Sequence, residues 1–129
     1  VIFFASRTHS QLAQVAAELR KCPPPYLRGA TEARRRDGLT LTVLGARAHS
    51  CIHGTALRAR EGVDEACKRI NRAVGGCPHK QRSRLLSLRH RLPVVWDIEE
   101  AHALGNVARC CPYYTAHDIL PQVGRGYWG

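Results

Sequence analysis

Arg47-Ala48-His49-Ser50-Cys51-Ile52-His53 opens a stretch, running to residue 91, whose reading decides the fold. Eleven Lys and Arg in it meet only Glu61, Asp64 and Glu65, a segment charge of +8 within a chain total of +10. Apolar residues are too sparse here for an ordinary core. Cys51, Cys67 and Cys77 lie inside the stretch and Cys111 follows it, separated by 15, 9 and 33 residues. A shared ligand would hold together helices that have too little apolar surface to hold one another. Cys77 and Cys111 are each followed by Pro, which leaves one fewer amide needing a partner beside the sulfur. An all-thiolate set suits zinc or an iron-sulfur cluster. The tight Cys-x2–4-Cys pairs usual for zinc are absent, and the wide spacing favours the larger cubane. Zinc with His49, His53 or His79 as substitute ligands, and cysteines that are unliganded or disulfide-bonded, stay open on this evidence. Disulfides need an oxidising compartment, for which nothing in the sequence speaks. Of the two remaining cysteines, Cys22 is expected to pack as a small apolar residue, whereas Cys110 competes with Cys111 for the fourth position.

Upstream of this stretch the chain reads as α/β. Val1-Ile2-Phe3-Phe4 has the β-branched and aromatic composition of a buried strand. After the polar connection 5–9, Ser10 is the expected N-cap of a helix carrying Leu12, Val15, Ala16 and Leu19 at helical spacing. Arg20 and Lys21 suit its C-terminus, and Pro23-Pro24-Pro25 stops it. Residues 26–38 read as an exposed loop and 39–44 alternate as a strand does. Strand, helix, strand is a parallel α/β unit. Downstream, Asp97 is the expected N-cap of a short helix, with Glu100 completing a capping box and Gly105 at the C-terminal cap. A second short helix follows Cys111-Pro112, and the tail from Gln122 has no periodicity.

At 129 residues the chain has room for one domain at most, and folding hides only about two thirds of its surface. No run approaches the roughly 18 apolar residues of a membrane span, and the opening has no charged leader, which excludes transmembrane and signal-peptide readings. Charged residues at 23% among 44% hydrophobic ones exclude wholesale disorder. A first residue inside an apolar run suggests a piece of a longer protein.

The residues also resemble a known family. Ala5-Ser6-Arg7-Thr8-His9-Ser10-Gln11-Leu12 resembles motif Ia of the XPD-type superfamily 2 iron-sulfur DNA helicases, in the branch with FANCJ, RTEL and the ChlR helicases. Leu44-Gly45-Ala46-Arg47 and Cys51-Ile52-His53 resemble the entry to that family's iron-sulfur domain. Val95-Trp96-Asp97-Ile98-Glu99-Glu100, Ala103-Leu104-Gly105 and Cys111-Pro112-Tyr113-Tyr114-Thr115-Ala116 resemble its exit. The resemblance implies a fragment of a RecA-like motor domain with an inserted, mostly helical 4Fe-4S domain. Residues 1–46 would be partial motor domain, 47–112 the cluster domain, and 113–129 a return helix with an irregular, truncated tail. It puts the cluster on Cys51, Cys67, Cys77 and Cys111. It further implies ATP-dependent 5′ to 3′ unwinding in nuclear DNA repair and genome maintenance, with single-stranded or forked DNA and the rest of the helicase chain as partners.

Several features depart from that pattern. No Gly-Lys dipeptide is present to cradle phosphates, and no Walker B Asp-Glu stands on a strand to hold Mg²⁺. ATP and Mg would be bound by parts of a full-length protein, so this chain alone is expected to be inactive as a hydrolase, with no catalytic residue of its own. Glu99-Glu100-Ala101-His102 imitates an Asp-Glu-Ala-His box but sits on a capped helix start. Residues 123–129 lack the strand that should follow, and His117 stands where the family often has Arg. Alternatives are a non-enzymatic zinc module that binds nucleic acid and a degenerate truncated helicase fragment.

For DNA, the loop at Ser6, Arg7, Thr8 and His9 joins a strand end to a helix N-terminus, where amides, hydroxyls and Arg7 would grip phosphate. Gln11 would contact the strand or lie on the helix surface. Arg47 would either contact DNA or brace the thiolates. Tyr113 and Tyr114 are expected to pack around the ligand rather than stack on bases, and Trp96 to be core.

Overall fold

The computed structural model describes residues 4–22, 41–83 and 95–125. Expectations for residues 1–3, the proline stop, the loop 26–38 and the basic residues Arg84, Arg89 and Arg91 lie outside them. Seven helices are described in this order: α1 (His9–Arg20), α2 (Arg47–Ser50), α3 (Gly54–Leu57), α4 (Val63–Arg72), α5 (Pro78–Gln81), α6 (Ile98–Ala108) and α7 (Pro112–Arg125).

The described residues contain no strand of the expected α/β unit; the strand expected at 39–44 is represented by one isolated parallel bridge, from Leu41 to Val95, a residue not expected to pair with it. A strand exists only where its backbone groups find a neighbour, and Leu41 and Val95 meet at a single position. What is described is therefore mostly helical.

Helix ends follow local chemistry, with two corrections. The N-cap of α1 is Thr8, not Ser10: Thr8 is extended, and its side chain accepts from the Gln11 amide at 3.4 Å. Ser10 instead donates to the Thr8 hydroxyl at 3.2 Å. The capping box of Asp97 and Glu100 forms as expected, the Glu100 amide donating to Asp97 Oδ1 at 2.8 Å and the Asp97 amide to Glu100 Oε2 at 3.1 Å. Gly105 does not end α6. It is buried within the helix, and the left-handed cap is Arg109, at φ 53°. The glycine is required sterically: a Cβ there would lie 2.6 Å from Pro112 Cγ and 2.7 Å from the Cys110 carbonyl oxygen. The helix after Cys111 is also longer than expected, continuing through Gln122 to Arg125.

The core is built of small residues. One cluster joins Cys51, Ala56 and Ala66, with Ala59, Val63 and Ile70 packed on it; the other joins Trp96, Ala101 and Ala116. Trp96 is buried, as expected. Burying an alanine methyl stabilises by only about 0.8 kcal/mol, so this interior holds the fold weakly by hydrophobic packing alone. Helix α2 is the hub, packing on α4, α6 and α7, while α3 packs on α4 and α6 on α7. Arg20 ties α1 to α6 through ion pairs with Glu100 and, at 3.6 Å, with Asp97.

Candidate metal centre

Each of the four cysteines reaches the same place from a different helix. Cys51 is the C-cap of α2, Cys67 lies within α4, Cys77 is the N-cap of α5, and Cys111 directly precedes α7. Both Cys-Pro steps put proline at the first helical position, where a missing N–H costs nothing, and leave the cysteine at the amide end of the helix. Between α4 and α5 the chain reverses through Gly75 and Gly76, at φ 83° and 57°, conformations that favour glycine. The Gly76 amide closes that turn on the Ala73 carbonyl at 3.0 Å, which returns Cys77 toward Cys67.

The widest gap in sequence, from Cys77 to Cys111, is closed by two hydrogen bonds. The Cys111 amide donates to the His79 carbonyl at 2.9 Å, and His79 Nδ1 lies 3.1 Å from the Arg109 carbonyl oxygen. That second bond requires the proton on Nδ1. Thr115, fully buried, has its hydroxyl 2.8 Å from the Cys111 carbonyl and 3.3 Å from that of Ser83. Ser83 in turn donates to Asp118 at 3.1 Å.

Cys51, Cys67, Cys77 and Cys111 consequently line one small cavity. Its remaining walls are mostly apolar, with Ile52, Ala56 and Ile70 among them. Burial pushes the Cys111 thiol up to about 11, against hydrogen bonds from the amides of Tyr114 and Tyr113; burial also raises Cys51, with Cys67 and Cys77 adding to it. Burial thus favours the neutral thiol at Cys51 and Cys111, and a bound metal would take the place of their protons. The donor set is thus that of a thiophilic metal group. Tetrahedral zinc at about 2.3 Å from each sulfur needs thiolates about 3.8 Å apart. Among the described residues no group of three His, Cys, Asp or Glu is placed to hold one ion.

The surrounding polar groups address the sulfurs. The His53 amide lies 3.4 Å from Cys51 Sγ, and Asn71 Nδ2 lies 3.3 Å from Cys67 Sγ and 2.7 Å from the Cys67 carbonyl oxygen. The His53 and His79 rings meet edge to face beside the cavity, 5.6 Å between centroids, and His53 Nδ1 is buried without a partner. Tyr114 shares hydrogen bonds with Cys67 and Arg47. Asn71 was not singled out in the sequence, although it stands one helical turn beyond Cys67, on the same face.

Arg47 is half-buried away from DNA-like solvent exposure. It pairs with Asp64 at 3.2 Å and lies over the Tyr113 ring, 4.4 Å from its centroid. Burial opposes its charge, but the bonds to Asp64 and Tyr114 outweigh that and hold the guanidinium even more firmly protonated than usual. It is linked to Cys67 through Tyr114, which bonds to both. Tyr113 and Tyr114 pack edge to face at 5.2 Å; Tyr114 lines the cysteine cavity and Tyr113 does not. Cys110 is buried, and its thiol donates to the Ala108 carbonyl at 3.3 Å, outside the cavity lining. Cys22 is half-buried in a groove beside α1, with Val15 and Leu19.

The loop expected to grip phosphate is assembled but inward-looking. Ser6 donates to Gln11 Oε1 and accepts from the Thr8 amide at 3.4 Å. His9 meets His49 edge to face at 4.1 Å, linking this loop to α2, while Arg7 is exposed. On the basic segment, all three acids are paired: Arg47 with Asp64, Lys68 with Glu65 at 2.6 Å, and Arg69 with Glu61 at 2.7 Å. Arg58, Arg60, Arg72, Lys80 and Arg82 are exposed, a surplus of positive charge on the surface. Among the described residues no helix is long and apolar enough to cross a membrane.

Comparison with known proteins places this geometry in context. The DEAD_2 family profile matches residues 4–124. The chain is 36% identical over 126 residues to the ATP-dependent DNA helicase CHL1 of Vanderwaltozyma polyspora, covering 92% of this chain and 15% of that protein. It is 28% identical to the Fanconi anemia group J protein homolog of Gallus gallus, over 92% of this chain and 9% of that protein. It is 29% identical to the regulator of telomere elongation helicase 1 homolog of Drosophila melanogaster, over 94% and 11%. The chain thus spans a small part of the length of each relative. No solved structure matches it.

Proposed function

The chain belongs to the DEAD_2 family of XPD-type helicases, and from that premise we propose that it is the cluster-bearing portion of an ATP-dependent DNA helicase acting in nuclear genome maintenance. Residues 1–46 are assigned to the first motor domain, 47–112 to a 4Fe-4S domain, and 113–129 to the return toward the motor. Cys51, Cys67, Cys77 and Cys111 are the assigned ligands. The observation that carries this reading is the convergence of those four thiols, drawn from four helices, on one cavity. Zinc is the weaker reading, because the tight Cys-x2–4-Cys pairs usual for it are absent from the sequence.

When bound, a 4Fe-4S group would supply four strong metal-sulfur bonds in place of the apolar interior that these helices lack. The chain's own residues do the rest. Cys51 and Cys111 give up their protons, His79 holds the third and fourth ligand segments together, and Arg47 and Tyr114 support Cys67. ATP and Mg²⁺ belong to motor segments of a longer protein, and unwinding is assigned to that whole. In this portion, DNA is met by the exposed Arg7, beside the amide end of α1, and by the surplus cations of the basic segment. Ser6, Thr8, His9 and Gln11 act chiefly by shaping that loop.

The test is anaerobic purification of the chain. About four iron and four sulfide per chain with a brown colour support the reading; a colourless protein with stoichiometric zinc overturns it. Single-strand affinity should fall with salt by about 0.7 log units per phosphate contact, and Arg7→Ala should weaken binding while leaving the colour intact.

A further inference from the structure

Asparagine is a poor choice for the interior of a helix, because its amide competes for backbone groups and it costs up to about 0.7 kcal/mol relative to alanine. Asn71 nevertheless occupies the last full turn of α4, half-buried, in a helix whose last turn otherwise holds Arg69 and Arg72. Its side chain does not face water alone. The single Nδ2 amine reaches back one turn to the Cys67 carbonyl at 2.7 Å and to Cys67 Sγ at 3.3 Å. An amide –NH₂ carries two hydrogens, so it can serve both acceptors at once. Asn71 also lines the outer cleft that Cys77, Lys80 and Tyr114 share.

From this clamp we infer that Asn71 is a positioning residue for Cys67, fixing the direction of its sulfur and stabilising it as a thiolate ligand by a neutral N–H···S hydrogen bond. The inference rests on the cluster assignment above. Cys67 is the ligand that needs such help. Cys51, Cys77 and Cys111 sit at helix ends, where backbone amides are available, and Cys51 and Cys111 receive them. Cys67 lies within α4, where backbone amides are spent on the helix itself. Only side chains can address its sulfur there, and those that do are Asn71 and Tyr114. A hydrogen bond to a metal-bound thiolate lowers the electron density on sulfur, and losing such outer partners commonly weakens metal holding by 10- to 100-fold.

The test compares the full chain with Asn71→Leu, which removes the donor, Asn71→Asp, which keeps the shape and removes the donor, and Arg72→Ala as a control on the same helix. Iron and sulfide are counted after anaerobic purification, release of iron to an excess of chelator is timed, and Fe–S(Cys) stretching bands are recorded by resonance Raman in H₂O and D₂O. The expected result is a parent-like iron content in all proteins, iron release about tenfold faster in both Asn71 variants, and loss in them of part of the parent's deuterium sensitivity. Arg72→Ala should behave as the parent. Parent-like release and bands in Asn71→Asp overturn the inference, even should Asn71→Leu fold poorly. A parent chain that carries no iron and sulfide overturns the cluster assignment itself and this inference with it, whereas a loaded parent with unaffected variants overturns this inference alone.

Discussion

The amide of Cys111 donates to the carbonyl of His79 at 2.9 Å, so the last of the four thiols is fastened to the residue two beyond the third. With the return contact from His79 Nδ1 to Arg109, this makes one two-stranded clasp out of segments 30 residues apart. The polypeptide itself thus brings Cys77 and Cys111 together.

The clasp separates the two adjacent cysteines. Cys111→Ser should lose the colour and most of the iron, as Cys67→Ser should. Cys110→Ser should retain both, because Cys110 is turned toward the Ala108 carbonyl. Iron analysis of the variants side by side checks this, and equal losses at 110 and 111 would contradict the placement.

Gly105 carries a steric demand rather than a conformational one. Gly105→Ala would drive a methyl into Pro112 and the Cys110 carbonyl, both of which are fixed by the clasp. Overpacking of this kind costs about 1–3 kcal/mol, outweighing alanine's better helix propensity. Urea denaturation of the metal-free chain should show that loss, and a neutral or stabilising effect would show that the Cys110–Pro112 turn is free to shift.

Removing Arg47 leaves Asp64 and the face of Tyr113 without their cation. Arg47→Ala should destabilise the chain by about 1–3 kcal/mol. Arg47→Lys should recover only part of this, since a single ammonium cannot address Asp64, Tyr113 and Tyr114 together. Thermal unfolding of the three proteins in parallel is the measurement.

The buried thiols set a pH window for the metal-free protein. Cys111 titrates near 11 in the fold against 9.0 for the free group. A raised value means that the fold prefers the neutral thiol, so the associated stability is fully present below pH 9 and is lost as pH rises toward 11. The loss is on the order of 2 kcal/mol. Denaturation midpoints between pH 8 and pH 11, under reducing conditions, should fall through that window, and Cys111→Ala should flatten the fall.

The grouping of the four cysteines was more legible in the sequence than the fold around them. Four cysteines in a basic stretch with few apolar residues point to a shared ligand by chemistry alone, and among the described residues the cluster around Cys51 is built on Ala56 and Ala66, the thin core expected of that stretch. The capping box at Asp97 was equally legible, because it depends on residues three apart. Thr8 and Ser10 could not be told apart, since either hydroxyl can cap and only the backbone angle at Thr8 decides. Gly105 misled for a related reason. Glycine marks both a left-handed turn and a close approach, and the sequence around it does not reveal that Pro112 lies against it. The parallel sheet depends on pairing between distant segments, of which Leu41 and Val95 are the described instance.

Helix α7 begins on the residue after Cys111 and runs for 14 residues, a rod about 21 Å long. A torque applied at its far end has little slack to absorb it before Pro112, whose ring is wedged against Gly105. Any turn of that rod is therefore felt first at its root, where Cys111 is fastened to His79.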